Sequence, residues 1–375
     1  MIMLETNYLL PLLHNRVRRN YRGGAGIERL QAGAFVARDA AAGLAGENLY
    51  RDGDKPEEWV ASLVRAKNPG LEPVEDEGLS RCAVYGQTLL AELLRSKPEL
   101  YLGREWYDAR GLDLGFLLKI LDSSMRLHVQ AHPSAVFARE HLGSQYGKFE
   151  CYYILSVRDG YEGYIRLGFQ HLPARNEWRR IIEEQDIAAM DACFEKIPVK
   201  AGDVWYIPGG VPHAIGENIL MLEIMEPSDL VVRCEFEREG IIVPPEARFM
   251  GRDLDFCLDV FDYTEQSVDD IRKKYRLTPV PLAESGDGAL LEELAAPPVA
   301  PFVVRRLSLL EPNAKITMHN SAFCAVIVTK GKVMINYRGE GAVLRQGMSL
   351  FAAAAACELE ISSAGKAELC LVQPV

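Results

Sequence analysis

His128, Gln130 and His132 alternate with Leu127, Val129 and Ala131 and run up to Pro133. Residues two apart on an extended strand face the same way, so the three polar side chains point to one side of a sheet. In a dry core each of them needs a hydrogen-bond partner. A metal or a polar pocket would supply that need, whereas the solvated face of an antiparallel sheet would remove it. These three residues alone leave both readings open.

Two further groups carry the same chemistry. In Gly147-Lys148-Phe149-Glu150, Glu150 opens an expected strand and Lys148 shares its side. After the strand expected at 204–207 comes Pro208-Gly209-Gly210-Val211-Pro212, and then His213. Two prolines and two glycines placed ahead of one histidine indicate that its direction matters. Imidazole nitrogens, a carboxylate oxygen and an amide oxygen suit a divalent first-row metal, zinc foremost, with a position left for substrate or water. Gln130, His132, Glu150 and His213 make such a set, but their separations of 2, 18 and 63 positions match no local zinc signature. Two histidines and a glutamate can also hold Fe(II) for an oxygenase.

The elements that must position these residues are short strands at 150–157, 164–168, 194–199, 204–207 and 219–225, separated by turns rich in Gly, Pro, Asn and Asp. Such a pattern suggests a barrel or a jelly roll. Leu and Ile at helical spacing predict helices over 88–94 and 114–121, and polar helical patterning recurs over 172–190 and 254–275. A shift to Pro, Ala, Glu and Gly over 279–301 reads as a linker, after which strands resume at 302–309, 323–328, 332–337, 342–344, 358–362 and 368–372. The expected organisation is therefore a catalytic unit at 1–235, a helical segment and linker at 236–300, and a smaller β unit at 301–375. His319 is the only histidine past residue 300, so the last unit holds no metal set and reads as structural, packing against the first unit or against another subunit. Homo-oligomerisation is left open.

At 375 residues, 48% of them apolar and 25% charged, the chain has the balance of an ordinary globular protein. Its net charge of -11 works against a sequence-independent grip on nucleic acid or anionic lipid, which leaves small molecules as partners. No apolar run approaches the ~20 residues that span a bilayer. Leu9, Leu10, Leu12 and Leu13 precede Arg16, Arg18 and Arg19, the reverse of a secretory signal, and none of the eight cysteines forms a Cys-x-x-Cys pair. The expected location is cytoplasmic, with reduced thiols.

Gln-Ala-His-Pro within 127–133, Gly-Lys-x-Glu at 147–150, and Ala-Gly-Asp-Val-x-Tyr-Ile-Pro-x-Gly-x-Pro-His-Ala-Ile at 201–215 resemble type I mannose-6-phosphate isomerases of the cupin superfamily. The likeness continues through Glu223 and Ser228-Asp229-Leu230-Val231-Val232-Arg233, and more weakly through 56–62 and through Leu117, Lys119 and Leu121. It is clear over about 55–235 and holds elsewhere in outline. It implies a mainly β fold of two cupin jelly-roll units with helical additions, the second lacking a metal. It also implies one zinc ion held by Gln130, His132, Glu150 and His213, with Lys148, Glu223 and Arg233 as catalytic residues. The implied reaction is the interconversion of mannose 6-phosphate and fructose 6-phosphate.

That reaction removes a proton beside a carbonyl and returns it to the neighbouring carbon through an enediol, which requires an acid, a base and charge stabilisation. Arg233 and Lys148 are the cationic candidates. Glu223 reads either as a desolvated proton carrier or as a structural carboxylate paired with an arginine. The chain departs from the family at His128, where a small hydroxyl residue is usual. This extra imidazole is a partner to a ligand, a substrate contact, a spare ligand, or simply a satisfied histidine. Where a basic residue often follows the arginine by six positions stands Glu239, which puts phosphate recognition in question. Arg16, Arg18, Arg19 and Arg22 offer charge from the N-terminal segment, although such a run also reads as a solvated face. An isomerase of an unphosphorylated or different sugar and a non-catalytic sugar-binding cupin are the alternative readings.

Overall fold

The computed structural model describes residues 7–32, 50–84 and 86–375, so residues 1–6, 33–49 and 85 of the expected first unit lie outside the described residues. Its class is the mainly β one expected, and every paired strand is antiparallel to its neighbours. No described helix is long and apolar enough to cross a membrane.

Two sheets face each other in the first half of the molecule. One has seven strands in the order Arg276–Leu277, Val204–Ile207, Glu150–Val157, Ile219–Met225, Leu117–Ser123, Glu57–Val60, Arg16–Val17. The other has five, in the order Val232–Arg233, Gln130–Ala131, His213–Ile215, Gly163–Leu167, Ile197–Val199. Tyr152, Ile154, Met221 and Leu121 from the first sheet pack against Ile165, Leu167 and Ile215 from the second. Alternation along each strand sends the intervening residues to the opposite face. There Cys151, Tyr153, Leu222, Leu118 and Ile120 join one continuous core with Phe302, Val304, Phe323, Ala325 and Phe351.

This double coverage explains one departure from the sequence reading. The segment 114–121 is not helical; Leu117–Ser123 is a strand buried along its whole length, hydrogen-bonded on both edges. A strand covered on both faces loses its alternation and reads as a continuous apolar run, in which helical spacings arise by chance.

The second half is again a pair of sheets. Seven strands run in the order Leu9–Pro11, Ser349–Ala352, Cys324–Lys330, Ala367–Pro374, Phe302–Leu309, Ala289–Ala295, Val280–Glu284, and four in the order Lys315–His319, Glu358–Ser362, Lys332–Tyr337, Glu340–Arg345. The stretch 279–301, read from composition as a linker, therefore contributes two strands. Ala289, Leu291, Leu294 and Ala295 face the interior, and Glu292 is offset by Arg306 on the adjacent strand at 2.6 Å. Pairing with Phe302–Leu309 overrides the weak strand preference of Ala and Glu. The N-terminal strand Leu9–Pro11 also belongs to this sheet, through its register with Ser349–Ala352.

Candidate metal centre and its cavity

His213 and Gln130 are directly opposed on neighbouring strands, and Arg233 opposes Gln130 from the other side. Glu150 arrives from the facing sheet. His132 lies just past the strand Gln130–Ala131 and is fixed by its surroundings. Gly210 N–H donates to the His132 carbonyl at 2.7 Å, and Lys148 N–H donates to that of Pro133 at 3.1 Å. Glycine is required at two of these approaches. A Cβ on Gly209 would stand 2.4 Å from Ser134 Cα, and one on Gly147 would stand 2.5 Å from Ala135 N. The turn before His213 and the one before Lys148 thus close on the same Pro133-Ser134 corner.

One ligating atom each from His132, Glu150 and His213 lie within 4.8 Å of one another, all three residues being buried. The imidazole centroids are 4.9 Å apart. His132 Nδ1 lies 2.9 Å from the Leu230 carbonyl oxygen and His213 Nδ1 3.0 Å from that of Val211. Carbonyls accept only, so each Nδ1 carries the proton and each Nε2 keeps its lone pair. Those lone pairs face a carboxylate: His132 Nε2 is 3.0 Å from Glu150 Oε1, and His213 Nε2 is 3.5 Å from Oε2. Lys148 Nζ lies 3.1 Å from Oε1 and 3.4 Å from His132 Nε2, and Oε2 accepts from Tyr152 Oη at 2.5 Å.

Acceptors turned on one another in a buried space repel unless positive charge stands beside them, which the Lys148 ammonium supplies only in part, at Glu150 Oε1 and His132 Nε2. This donor set therefore fits a divalent metal. Protonation does not relieve it. Burial, with Lys148 adding to it, holds the His132 imidazole down to about 3, and burial lowers His213 as well. Burial pushes the Glu150 carboxyl up, but Lys148 and His132 outweigh it and keep the group well below the usual carboxylate range. Two neutral imidazoles and an ionised carboxylate are the protonation states of metal ligands. The Gln130 amide nitrogen lies 3.4 Å from His213 Nε2, which brings the fourth side chain of the set to the same place.

Beside this cluster is a cavity lined by Gln130, Lys148, Glu223 and Arg233 together with residues the sequence reading did not assign to the site. Lys148 Nζ lies 3.1 Å from Glu150 Oε1. Glu223 is buried, and its charged neighbour is Lys119 at 2.7 Å, not an arginine. Burial raises the Glu223 carboxyl above its ordinary value, and Lys119 only partly opposes this. Arg233 has no carboxylate partner among the described residues; its guanidinium donates to the Ala247 carbonyl, and burial with Arg19 nearby lowers it to about 10. The solvated-face reading of 128–132 does not survive, since His128 and His132 are 6% and 1% exposed.

Solved and curated proteins similar to this chain include several mannose-6-phosphate isomerases. A mannose-6-phosphate isomerase from Streptococcus mutans is 42% identical over 157 residues, covering 42% of this chain and 46% of that protein. The match thus spans less than half the length of this curated relative. The structure of the mannose 6-phosphate isomerase from Bacillus subtilis superposes with a TM-score of 0.69 at 18% identity, covering 98% of this chain and 100% of that one. A zinc-bound mannose 6-phosphate isomerase superposes at 0.66 and 14% identity, with coverages of 98% and 100%. No protein-family model matches the chain. The chain has the fold of the mannose-6-phosphate isomerases.

Within that fold, the cavity residues that sequence reading did not assign to the site include Tyr21, Glu57 and Lys119, while it offered Arg19 only as a source of charge. Glu57 accepts from Tyr21 Oη and Trp59 Nε1, each at 2.7 Å, and lies 3.5 Å from Arg19 and 3.6 Å from Lys119. The signal for Lys119 was a single charge inside an apolar run, and that for Glu57 an acid beside a core tryptophan. Arg19, Tyr21, Glu57 and Lys119 come from three strands or loops distant in sequence, so no local motif joins them. Within the basic run at 16–22, Arg18 pairs with Glu77 at 3.0 Å and Arg19 lines the cavity, while Arg22 is exposed. Glu239 is exposed and absent from the cavity wall, and Arg238 turns to Glu235 at 2.7 Å. The wall carries five basic side chains, Arg19, Lys67, Lys119, Lys148 and Arg233, against three carboxylates, Glu57, Glu223 and Asp229.

Proposed function

We propose that the protein is a metal-dependent aldose-ketose isomerase that interconverts mannose 6-phosphate and fructose 6-phosphate. The observation that carries this reading is a buried cluster of metal-type donors beside a cavity whose wall holds a raised carboxyl, Glu223, and a guanidinium, Arg233, with no carboxylate partner among the described residues. The proteins it resembles in sequence and fold supply the substrate. The excess of basic groups in the wall suits a phosphorylated sugar.

We assign Gln130, His132, Glu150 and His213 as the residues that would hold the ion, with zinc as the metal on the chemistry of the donors and on the zinc-bound structure of similar fold. When bound, the ion supplies positive charge that polarises sugar oxygens. The protein's own groups then do the rest. Lys148 and Arg233 hold the substrate and offset the negative charge that develops as the proton leaves carbon. Glu223, buried and with its carboxyl raised above the ordinary value, takes that proton and returns it to the adjacent carbon, while Lys119 keeps it in place.

We place the enzyme in the cytoplasm, a reducing compartment that suits its eight unpaired thiols. The second sheet pair serves as structural support, sharing a core with the catalytic half. The test is metal analysis of the purified protein together with an isomerase assay on mannose and mannose 6-phosphate. Bound zinc with turnover of the phosphorylated sugar is expected. Turnover of the phosphorylated sugar in metal-free protein would overturn the metal assignment, and preference for free mannose would overturn the substrate.

A further inference from the structure

One polar atom in the cavity wall has no task in the reaction just described. His128 is 6% exposed and lines the cavity with Gln130 and Arg233, and its Nε2 has no hydrogen-bond partner among the described residues. It does not belong to the group of ligating atoms formed by His132, Glu150 and His213. A buried imidazole nitrogen left unpaired costs about 1 to 3 kcal/mol. An apolar side chain would fill the same wall without that cost, so the atom has the character of half of a contact whose other half is the ligand.

Its position narrows which part of the ligand this is. Gln130 belongs to the metal-type cluster, where the reacting carbons must come, and Arg233 stands opposite Gln130 across the strand pair. His128 precedes Gln130 by two residues and borders the same wall as Arg233. A six-carbon sugar phosphate with C1 and C2 at the cluster presents the hydroxyls of its middle carbons to this stretch. A hydroxyl both donates and accepts, so it pairs with Nε2 in either tautomer.

We propose that His128 is a specificity-determining residue whose Nε2 hydrogen-bonds the C3 or C4 hydroxyl of the sugar. This rests on the isomerase reading and adds the point of the sugar that the wall inspects. A site built to pair with a hydroxyl discriminates strongly against an analogue lacking it, because its own polar atom is then left unpaired.

The experiment compares the unmodified protein, His128→Ala and His128→Gln on mannose 6-phosphate and on its 3-deoxy and 4-deoxy analogues, with metal content measured for each protein. Expected is a loss in kcat/KM of about tenfold or more for His128→Ala on the parent sugar. On one deoxy analogue the same variant should match the unmodified protein within about twofold, since the contact is already gone. His128→Gln, which keeps a hydrogen-bonding end, should recover part of the loss, and all three proteins should hold the same metal. Equal losses on all three sugars, or metal lost from His128→Ala, would overturn the proposal while leaving the isomerase reading intact. No turnover of mannose 6-phosphate by the unmodified protein would refute that reading and this proposal with it.

Discussion

Lys119 and Glu223 stand directly opposite each other on neighbouring strands, with Nζ 2.7 Å from Oε2. The same ammonium lies 3.6 Å from Glu57, so one buried cation serves two buried carboxylates. Their environments drive the two apart. Burial pushes Glu57 up, but Lys119 and Arg19 outweigh it and bring the group to about 2, while burial keeps Glu223 raised. A carboxylate held charged near neutral pH beside one held above its ordinary value is the pairing that the proposed acid-base chemistry needs.

Glu57 ties stability to acid. Its folded value lies below its ordinary 4.5, so its contribution is complete above that value and is lost as pH falls toward about 2. Urea unfolding followed across this window should show a loss on the order of 3 kcal/mol from this group. Glu57→Gln should flatten that limb and be less stable at pH 7, because Lys119 and Arg19 then lose their partner. An unchanged acid limb would refute the assignment.

His132→Ala and Glu150→Ala should lose zinc and turnover together, as read by elemental analysis and an isomerase assay. Each removes one donor of a cluster whose remaining lone pairs cannot close around the ion. Full metal content in either variant would place the ion elsewhere.

Arg233→Ala should keep the metal, because its guanidinium donates to Ala247 and touches none of the proposed ligands. Turnover should fall about 100-fold or more, the usual cost of removing one preorganised charge from a reaction site. Loss of zinc from this variant would show that Arg233 supports the cluster instead.

Gly209→Ala tests the Pro133-Ser134 corner. The added Cβ meets backbone atoms at 2.4 and 2.5 Å, so the turn preceding His213 must move away from His132. Zinc affinity should fall about 10-fold or more, with a lower melting temperature, in calorimetric titration and thermal unfolding. Unaltered affinity would mean the turn adjusts without moving His213.

The candidate donors were legible in the sequence because each sits in a local device: an alternating run ending at Pro133, a strand opening at Glu150, and a glycine and proline turn before His213. Those devices follow from backbone rules that act over a few residues. Most strands after residue 302 were legible for the same reason, though Lys315–His319 and Ser349–Ala352 were not among those expected. What tertiary structure decided was everything set by coverage and by long-range pairing. Burial on both faces turned 114–121 from apparent helix into strand, and the partner Phe302–Leu309 made strands out of a composition that reads as linker. Opposition across the sheet gave Glu223 a lysine as its charged neighbour, and folding brought Arg19, Tyr21 and Glu57 to the cavity from far along the chain. A sequence states which groups are present and how each short run is shaped. Which groups share a charge, and which polar atom is left without a partner, depends on distances that exist only once the sheets have closed.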